Sequence, residues 1–268
     1  MNNKDFKWLL AFPLVLWGFY VFLTGNIIPV SFVSQPLANE VQESIAPLPF
    51  VQQKVFGNSV TGRPIDGYEI GTGSEVLLFL GSIHGNEMGT TDLLNRFVSE
   101  IQANPKLLAD NKKLVVIPIV NPDGYYDRVD KLNANEVNLN INFDTTGWQR
   151  YGPSGTSAGE QPFSEPESRV IREVVEKYQP TAMFAYHAQG SLVSPEFYPK
   201  SIVLAQWYAN NTGYAYYDEW DYAGTATKWF IEKTGYPAIT IELKEYLKSD
   251  WLINKPALLK IISSDEII

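Results

Sequence analysis

The chain predicts an α/β fold, a three-layer α/β/α domain on a mixed, mostly parallel central sheet occupying residues 51–268. Three observations predict it. Short continuous apolar runs recur and end at turn signals, as strands buried on both faces do. Between them lie segments whose apolar residues repeat at helical spacing. The 268 residues, 45% of them hydrophobic, suffice for one sizeable core without the bias of disordered or fibrous chains.

Residues 76–80, Val-Leu-Leu-Phe-Leu, form the first buried strand and stop at Gly81. A helix pattern begins near Glu87 and continues through Leu93, Leu94, Phe97, Val98 and Ile101. A second strand covers residues 114–120 and is stopped by the turn Asn121-Pro122-Asp123-Gly124. Pro166 suits the first turn of a helix reaching Tyr178, with Val170, Ile171, Val174 and Val175 on one face. Residues 181–187 and 237–243 read as strands, and 225–233 and 251–262 as helices. In sheets of this kind ligands collect at the carboxyl ends of the strands.

Ahead of the domain, Lys4 and Lys7 precede an uncharged apolar run over residues 8–23. Its sixteen residues suit the core of an export signal, and extension through Ile27, Ile28 and Val30 approaches the length that spans a bilayer of roughly 30 Å. Residues 1–30 are therefore expected to be a signal or membrane anchor and 31–50, rich in Ser, Pro and Gln, a linker. The basic residues before the run place the domain outside the cytoplasm, anchored to the membrane or released. A net charge of −9 without basic runs argues against a nucleic-acid or anionic-membrane surface.

The chain has no cysteine, which excludes disulfides and thiolate metal sites. It has two histidines, His84 and His187. His84 and Glu87 are three residues apart in the turn after the first strand, close enough to bring an imidazole and a carboxylate to one metal ion. His187 ends another strand facing the same sheet edge. Together they supply the three protein ligands that a catalytic zinc with one open position uses. Glu242 closes the apolar strand Ala238-Ile239-Thr240-Ile241, where burial should raise its pKa toward the range of a general base.

Several segments resemble the zinc carboxypeptidases of the carboxypeptidase A type, and among them the short bacterial murein peptide amidase-like members. Gly57 to Ile65 resembles the lead-in segment, and Gly81-Ser82-Ile83-His84-Gly85-Asn86-Glu87 the first metal motif. Asn121-Pro122-Asp123-Gly124 resembles the turn before the substrate-binding segment, and Asn135-Glu136-Val137-Asn138-Leu139-Asn140-Ile141-Asn142-Phe143 that segment itself. Ser164-Glu165-Pro166-Glu167, the strand to His187, Gly224-Thr225 and Thr240-Ile241-Glu242-Leu243 follow in order.

The resemblance implies one zinc ion per chain, held by His84, Glu87 and His187, with Glu242 as general base and a peptide or cell-wall peptide as substrate. Departures from the pattern fall on three positions. Asn138 stands where the family has an aspartate that orients the first histidine, which removes a negative charge beside the ligand. Ile141, after Asn140, replaces an arginine that grips a terminal carboxylate, and an apolar side chain cannot pair with one. The arginine that assists the polarised carbonyl is matched by either Arg128 or Lys131, and the guanidinium of Arg128 suits an oxyanion better. Asn140, Ile141 and Lys131 are thus expected to bind substrate, and Arg128 to join Glu242 in catalysis. Tyr214, Tyr216, Tyr217 and Tyr222 crowd the segment before Gly224 without a spacing that selects one of them. Two other readings are a zinc deacylase of the succinylglutamate desuccinylase or aspartoacylase kind, and a peptide-binding homologue without turnover.

Overall fold

The computed structural model describes residues 51–264 apart from residues 129 and 154, with the side chain of Arg128 also outside the description. The expected signal or anchor at 1–30 and linker at 31–50 lie outside the described residues. Among these, no helix is long and apolar enough to cross a membrane.

Eight strands form one sheet: β1 (Val51–Asn58), β2 (Pro64–Ile70), β3 (Glu75–Leu80), β4 (Lys112–Ile117), β5 (Ala182–Ala188), β6 (Leu192–Ser194), β7 (Ala215–Tyr216) and β8 (Ala238–Leu243). Their order is β1-β2-β4-β3-β5-β8-β6-β7. The centre, β4-β3-β5-β8, is parallel throughout. Antiparallel pairings attach β1 and β2 on one side and β6 on the other, with β7 parallel to β6 at the edge. The sheet is mixed, as expected, with its parallel part in the middle.

Five helices cover it: α1 (Met88–Ala103), α2 (Pro166–Tyr178), α3 (Pro199–Thr212), α4 (Ala226–Thr234) and α5 (Trp251–Ser263). Side chains alternate across a strand, so each central strand feeds two cores. Leu77, Phe79, Phe184, Tyr186, Ile239 and Ile241 pack with α1, α3 and α5 on one face. Leu78, Leu80, Met183, Ala185 and Ala238 pack with α2 and α4 on the other. Phe79 stacks on Phe184 with centroids 4.8 Å apart and planes 10° from parallel, joining β3 to β5.

The elements read from apolar runs lie where expected, with β4 shorter by three residues at its carboxyl end. Beyond Ile117, Pro118 has no N–H for the ladder, and the N–H groups of Val120 and Asn121 turn back to the carbonyls of Gly81 and Ser82. Helix α3 escaped the periodicity argument because its buried stripe, Ser201, Leu204, Ala205, Tyr208 and Ala209, is half small or polar. The edge strands β6 and β7 are three and two residues long, too short to carry an alternation.

Candidate metal centre

Three neighbouring parallel strands deliver the candidate residues. His187 on β5 and Glu242 on β8 occupy directly paired register positions at the carboxyl ends of their strands. With Met183 and Ala185 in one core, the two-residue period puts His187 on that same face, and likewise Glu242 with Ala238. The loop after β3 carries His84 and Glu87, and β3 pairs with β5.

That loop is held from several sides. Thr90 Oγ1 accepts the N–H of Ser82 at 2.8 Å and donates to the carbonyl of Glu87 at 2.7 Å, tying the loop's two ends. Gly85 has no room for a side chain: a Cβ there would lie 2.2 Å from the carbonyl carbon of Gly124 and 2.5 Å from the nitrogen of Tyr125. The loop thus presses against the turn at Gly124, and Glu87 begins α1 as its N-cap residue.

The three side chains converge. His84 Nδ1 lies 2.8 Å from Glu87 Oε1, His187 Nδ1 lies 2.9 Å from Glu87 Oε2, and the two Nδ1 atoms are 3.3 Å apart. All three residues are buried, and they make the His/Glu group with donor atoms close enough for one metal ion. The proton inventory tests whether a cation fits. Asn138 Oδ1 accepts the backbone N–H of Asn140 at 3.1 Å, which fixes the orientation of the amide. The same oxygen faces His84 Nε2 at 3.0 Å, so Nε2 must carry the ring's hydrogen. In the neutral ring, Nδ1 then points a lone pair at a carboxylate oxygen. That is repulsive until a cation sits between them, and the donor set of two imidazoles and one carboxylate is the one zinc takes.

Charge states agree with this arrangement. Burial lowers the pKa of His84 below its ordinary 6.5, against the pull of Glu87, and keeps the ring neutral. Burial alone would lower His187 as well, but the carboxylates of Glu87 and Glu242 together outweigh it and raise its pKa. The two rings shift in opposite directions because Glu242 adds to the pull on His187 and the charge of His187 in turn lowers His84. A proton taken up by the metal-free pair therefore resides on His187. Burial pushes Glu87 upward, yet both imidazoles overcome it and hold its carboxyl at about 2. Glu242 is raised from 4.5 to about 7, first by burial and then by the charge of Glu87, against His187 and Lys131.

A cavity of about 330 Å³ opens at this point, lined by His84, His187 and Glu242 together with Lys131, Asn138, Asn140 and Ile141. Of the two candidate cations, Lys131 lines it, whereas the side chain of Arg128, the last residue of the wide helical turn Gly124–Arg128, lies outside the described residues. Asn140 is tied to the start of α4, its Oδ1 accepting the N–H of Ala226 at 3.2 Å. Of the four clustered tyrosines, Tyr222 lines the cavity, whereas Tyr214 is buried and bonded to Asp250 and Asn254. Glu196 and Trp220, which sequence reasoning passed over, also line the cavity, as do Thr225 and Thr240, which it placed in motifs without a site role. Thr240, two residues before Glu242 on β8, was within reach of the strand period; the others lie in loops.

Asn138 orients His84 without adding charge. Replacing Asn138 with alanine is expected to weaken zinc binding about 10- to 100-fold, and Asn138→Asp to strengthen it relative to the wild type. Competition with a zinc chelator measures both.

A three-layer α/β/α domain that gathers two histidines and a glutamate at the carboxyl edge of its parallel strands is built like a mononuclear metallohydrolase. The family model described as zinc carboxypeptidase matches residues 47–202, more than half of the chain, and the chain belongs to that family. Gamma-D-glutamyl-L-diamino acid endopeptidase 1 of Lysinibacillus sphaericus is 24% identical over 261 residues, covering 77% of this chain and 64% of the relative. Murein peptide amidase A of Escherichia coli K12 is 26% identical over 167 residues, 58% of this chain and 65% of the relative. The chain thus spans just under two thirds of the length of these two curated relatives.

Two crystal structures share the fold. Carboxypeptidase A from Helicoverpa armigera has a TM-score of 0.66 at 20% identity, covering 80% of this chain and 66% of that one. The murein-tripeptide amidase from Escherichia coli O157 has a TM-score of 0.63 at 20% identity, covering 79% and 92%.

Proposed function

We propose that this chain is a zinc peptidase or amidase that hydrolyses amide bonds of short peptides, with cell-wall murein peptides as the substrate class. The observation that carries the reading is the convergence of His84, Glu87 and His187 beside Glu242 in one cavity. Relatives named for murein peptides and for a γ-D-glutamyl-L-diamino acid bond support the substrate class. An apolar N-terminal segment that exports the domain, anchored or released, would bring it to that substrate.

Bound zinc supplies a Lewis acid that polarises a carbonyl and acidifies water. Glu242 then takes the proton of the attacking water and returns it to the departing amine, a task for which a carboxyl tuned toward neutrality is suited. Lys131 faces the cavity as the cation that stabilises charge developing on the carbonyl oxygen, and Arg128 is the second candidate for that task. Asn140 and Ile141 form part of the wall against which the substrate lies. Ile141 provides no partner for a carboxylate, so the leaving segment need not end in one there.

Incubating the zinc-loaded protein with synthetic murein tri- and tetrapeptides tests the proposal. Release of a shorter peptide or amino acid is expected, and N-acyl amino acids are expected to be cleaved more slowly. No amide cleavage with one zinc bound per chain would rule the reading out, and faster cleavage of N-acyl amino acids would favour a deacylase. The pH profile gives an independent check. A base must be deprotonated to act, so kcat/KM should rise with pH through the pKa of Glu242. The dication pulls that pKa below the metal-free value of about 7, placing the acid limb between the ordinary carboxyl range and pH 7.

A further inference from the structure

Residues 244–256, the loop after β8 and the first turns of α5, carry the two most exposed large apolar side chains among the described residues, Leu252 at 84% and Leu247 at 69%. Tyr246, Ile253 and Pro256 are exposed as well. The loop that presents them is firmly built. A bridge between Glu245 and Lys248 closes a turn with Tyr246 and Leu247 at its tip, and an ion pair of 2.8 Å between the same two residues spans it. The N–H of Gly89 donates to the carbonyl of Tyr246 at 2.6 Å, and a Cβ at Gly89 would lie 2.4 Å from the carbonyl oxygen of Lys248. The turn thus rests on the start of α1. At the loop's base, Asp250 Oδ2 accepts the N–H of Lys244 and the hydroxyl of Tyr214, both at 2.7 Å.

A contiguous exposed apolar patch marks a contact surface, and the charges around it indicate what it contacts. Residues 244–260 hold four lysines against two acids, in a chain of net charge −9. Helix α5 contains no acidic residue, and Lys255 lies over the ring of Trp251 at 5.5 Å. Lys248 pairs with Glu245 and Lys255 with Glu100, surface pairs that give way readily to another anion. Lysine is depleted at protein–protein interfaces. Leucine and aromatic rings rimmed by lysine instead suit the boundary of a bilayer, where apolar groups enter the acyl region and ammonium tips remain at the phosphates. The apolar run at 8–30, read as an anchor, is joined to the domain by residues 31–50, which span at most about 70 Å. A domain of this size has a radius of gyration of about 17 Å. Such a tether leaves orientation at a membrane to the domain's own surface.

We propose that the face formed by the β8–α5 loop and the first turns of α5 docks on a phospholipid bilayer, with Leu247 and Leu252 entering the acyl boundary and Lys244, Lys248 and Lys255 meeting lipid phosphates. The overall charge opposes attraction to an anionic surface, so the apolar pair drives docking and the lysines set its depth. The face follows directly on Glu242 at the carboxyl edge of the sheet, and docking there would hold the cavity close to the bilayer.

The absence of cysteine makes the test direct, because one introduced cysteine takes one label. The full chain carrying Leu252→Cys, labelled with an environment-sensitive fluorophore, is reconstituted in vesicles of equimolar phosphatidylcholine and phosphatidylglycerol with or without brominated acyl chains. The control is Val55→Cys, an exposed position on the edge strand β1. Brominated lipid should quench the label at position 252 strongly and the label at position 55 little. Adding Leu247→Asp should cut the docking equilibrium at least about tenfold, since one leucine no longer leaves water, and weaken quenching at position 252 accordingly. Failure of the full chain to float with the vesicles, equal quenching at the two positions, or quenching indifferent to Leu247→Asp would overturn the assignment. Emission at position 252 that ignores bromination but changes with protein density would give the face to a second copy, and overturn it too. The comparison of positions 252 and 55 leaves Leu247 intact and needs no hydrolysis, so it stands whatever the enzyme cleaves.

Discussion

Replacing Glu242 with glutamine is expected to lower kcat by about 10²- to 10⁴-fold while one zinc remains bound per chain. The amide keeps the shape and hydrogen-bonding capacity of the side chain but cannot accept the water's proton. Because the three candidate ligands are untouched, metal content separates a catalytic loss from a structural one. A protein that only bound peptides would keep its ligand affinity, and there would be no turnover to lose.

The same substitution has a second, opposite signature in the metal-free protein. There burial raises the carboxyl of Glu242 from 4.5 to about 7, so the neutral acid is favoured by folding. Stability is expected to fall as pH rises through that interval. The full penalty, roughly 3 kcal/mol, stands above pH 7 and disappears below about pH 4.5. Glutamine carries no such penalty. Metal-free Glu242→Gln should therefore melt at a higher temperature than the metal-free wild type at pH 8, with the gap closing toward pH 4.5. Equal melting temperatures at both pH values would mean that Glu242 is not buried as the fold places it.

Removing His187 has the other large expected effect. Its imidazole contributes one of three donor atoms and one of the two ring partners that hold the Glu87 carboxyl at about 2. His187→Ala is expected to abolish stoichiometric zinc binding and all zinc-dependent hydrolysis, a larger loss than that from disturbing Asn138. In the metal-free state it leaves a buried carboxylate with less compensation, and breaking such a pair costs about 3–5 kcal/mol. Adding Glu87→Gln to His187→Ala should recover part of that stability, since it removes the uncompensated charge. A double variant that melts lower than His187→Ala alone would contradict this account of the pair. Metal content and thermal melts over pH 5–8 supply both readouts.

The central strands were legible because parallel strands buried on both faces are written as unbroken apolar runs, and β3, β5 and β8 have that form. Helices α1 and α2 were legible from their apolar faces, and α2 from Pro166 at its first turn. The edge of the sheet was not. Strands β6 and β7 owe their place to pairing with β8 and with each other, which no local pattern records.

The contrast is sharper at the site. With no cysteine and two histidines, the sequence by itself restricted a transition-metal donor set to His84, His187 and carboxylates, and the strand ends pointed to Glu87 and Glu242. Composition and the local loop geometry sufficed for that. What required the tertiary structure were relations between distant segments: Asn138 against His84 across 54 positions, Lys131 facing the cavity, and Glu196 held by Thr225 and Thr227. A carboxylate in the stretch Ser194-Pro195-Glu196 looks like any surface acid in one dimension. Only packing decides which of its oxygens is satisfied and which is not, because burial and hydrogen bonding are properties of the folded neighbourhood and not of the residue.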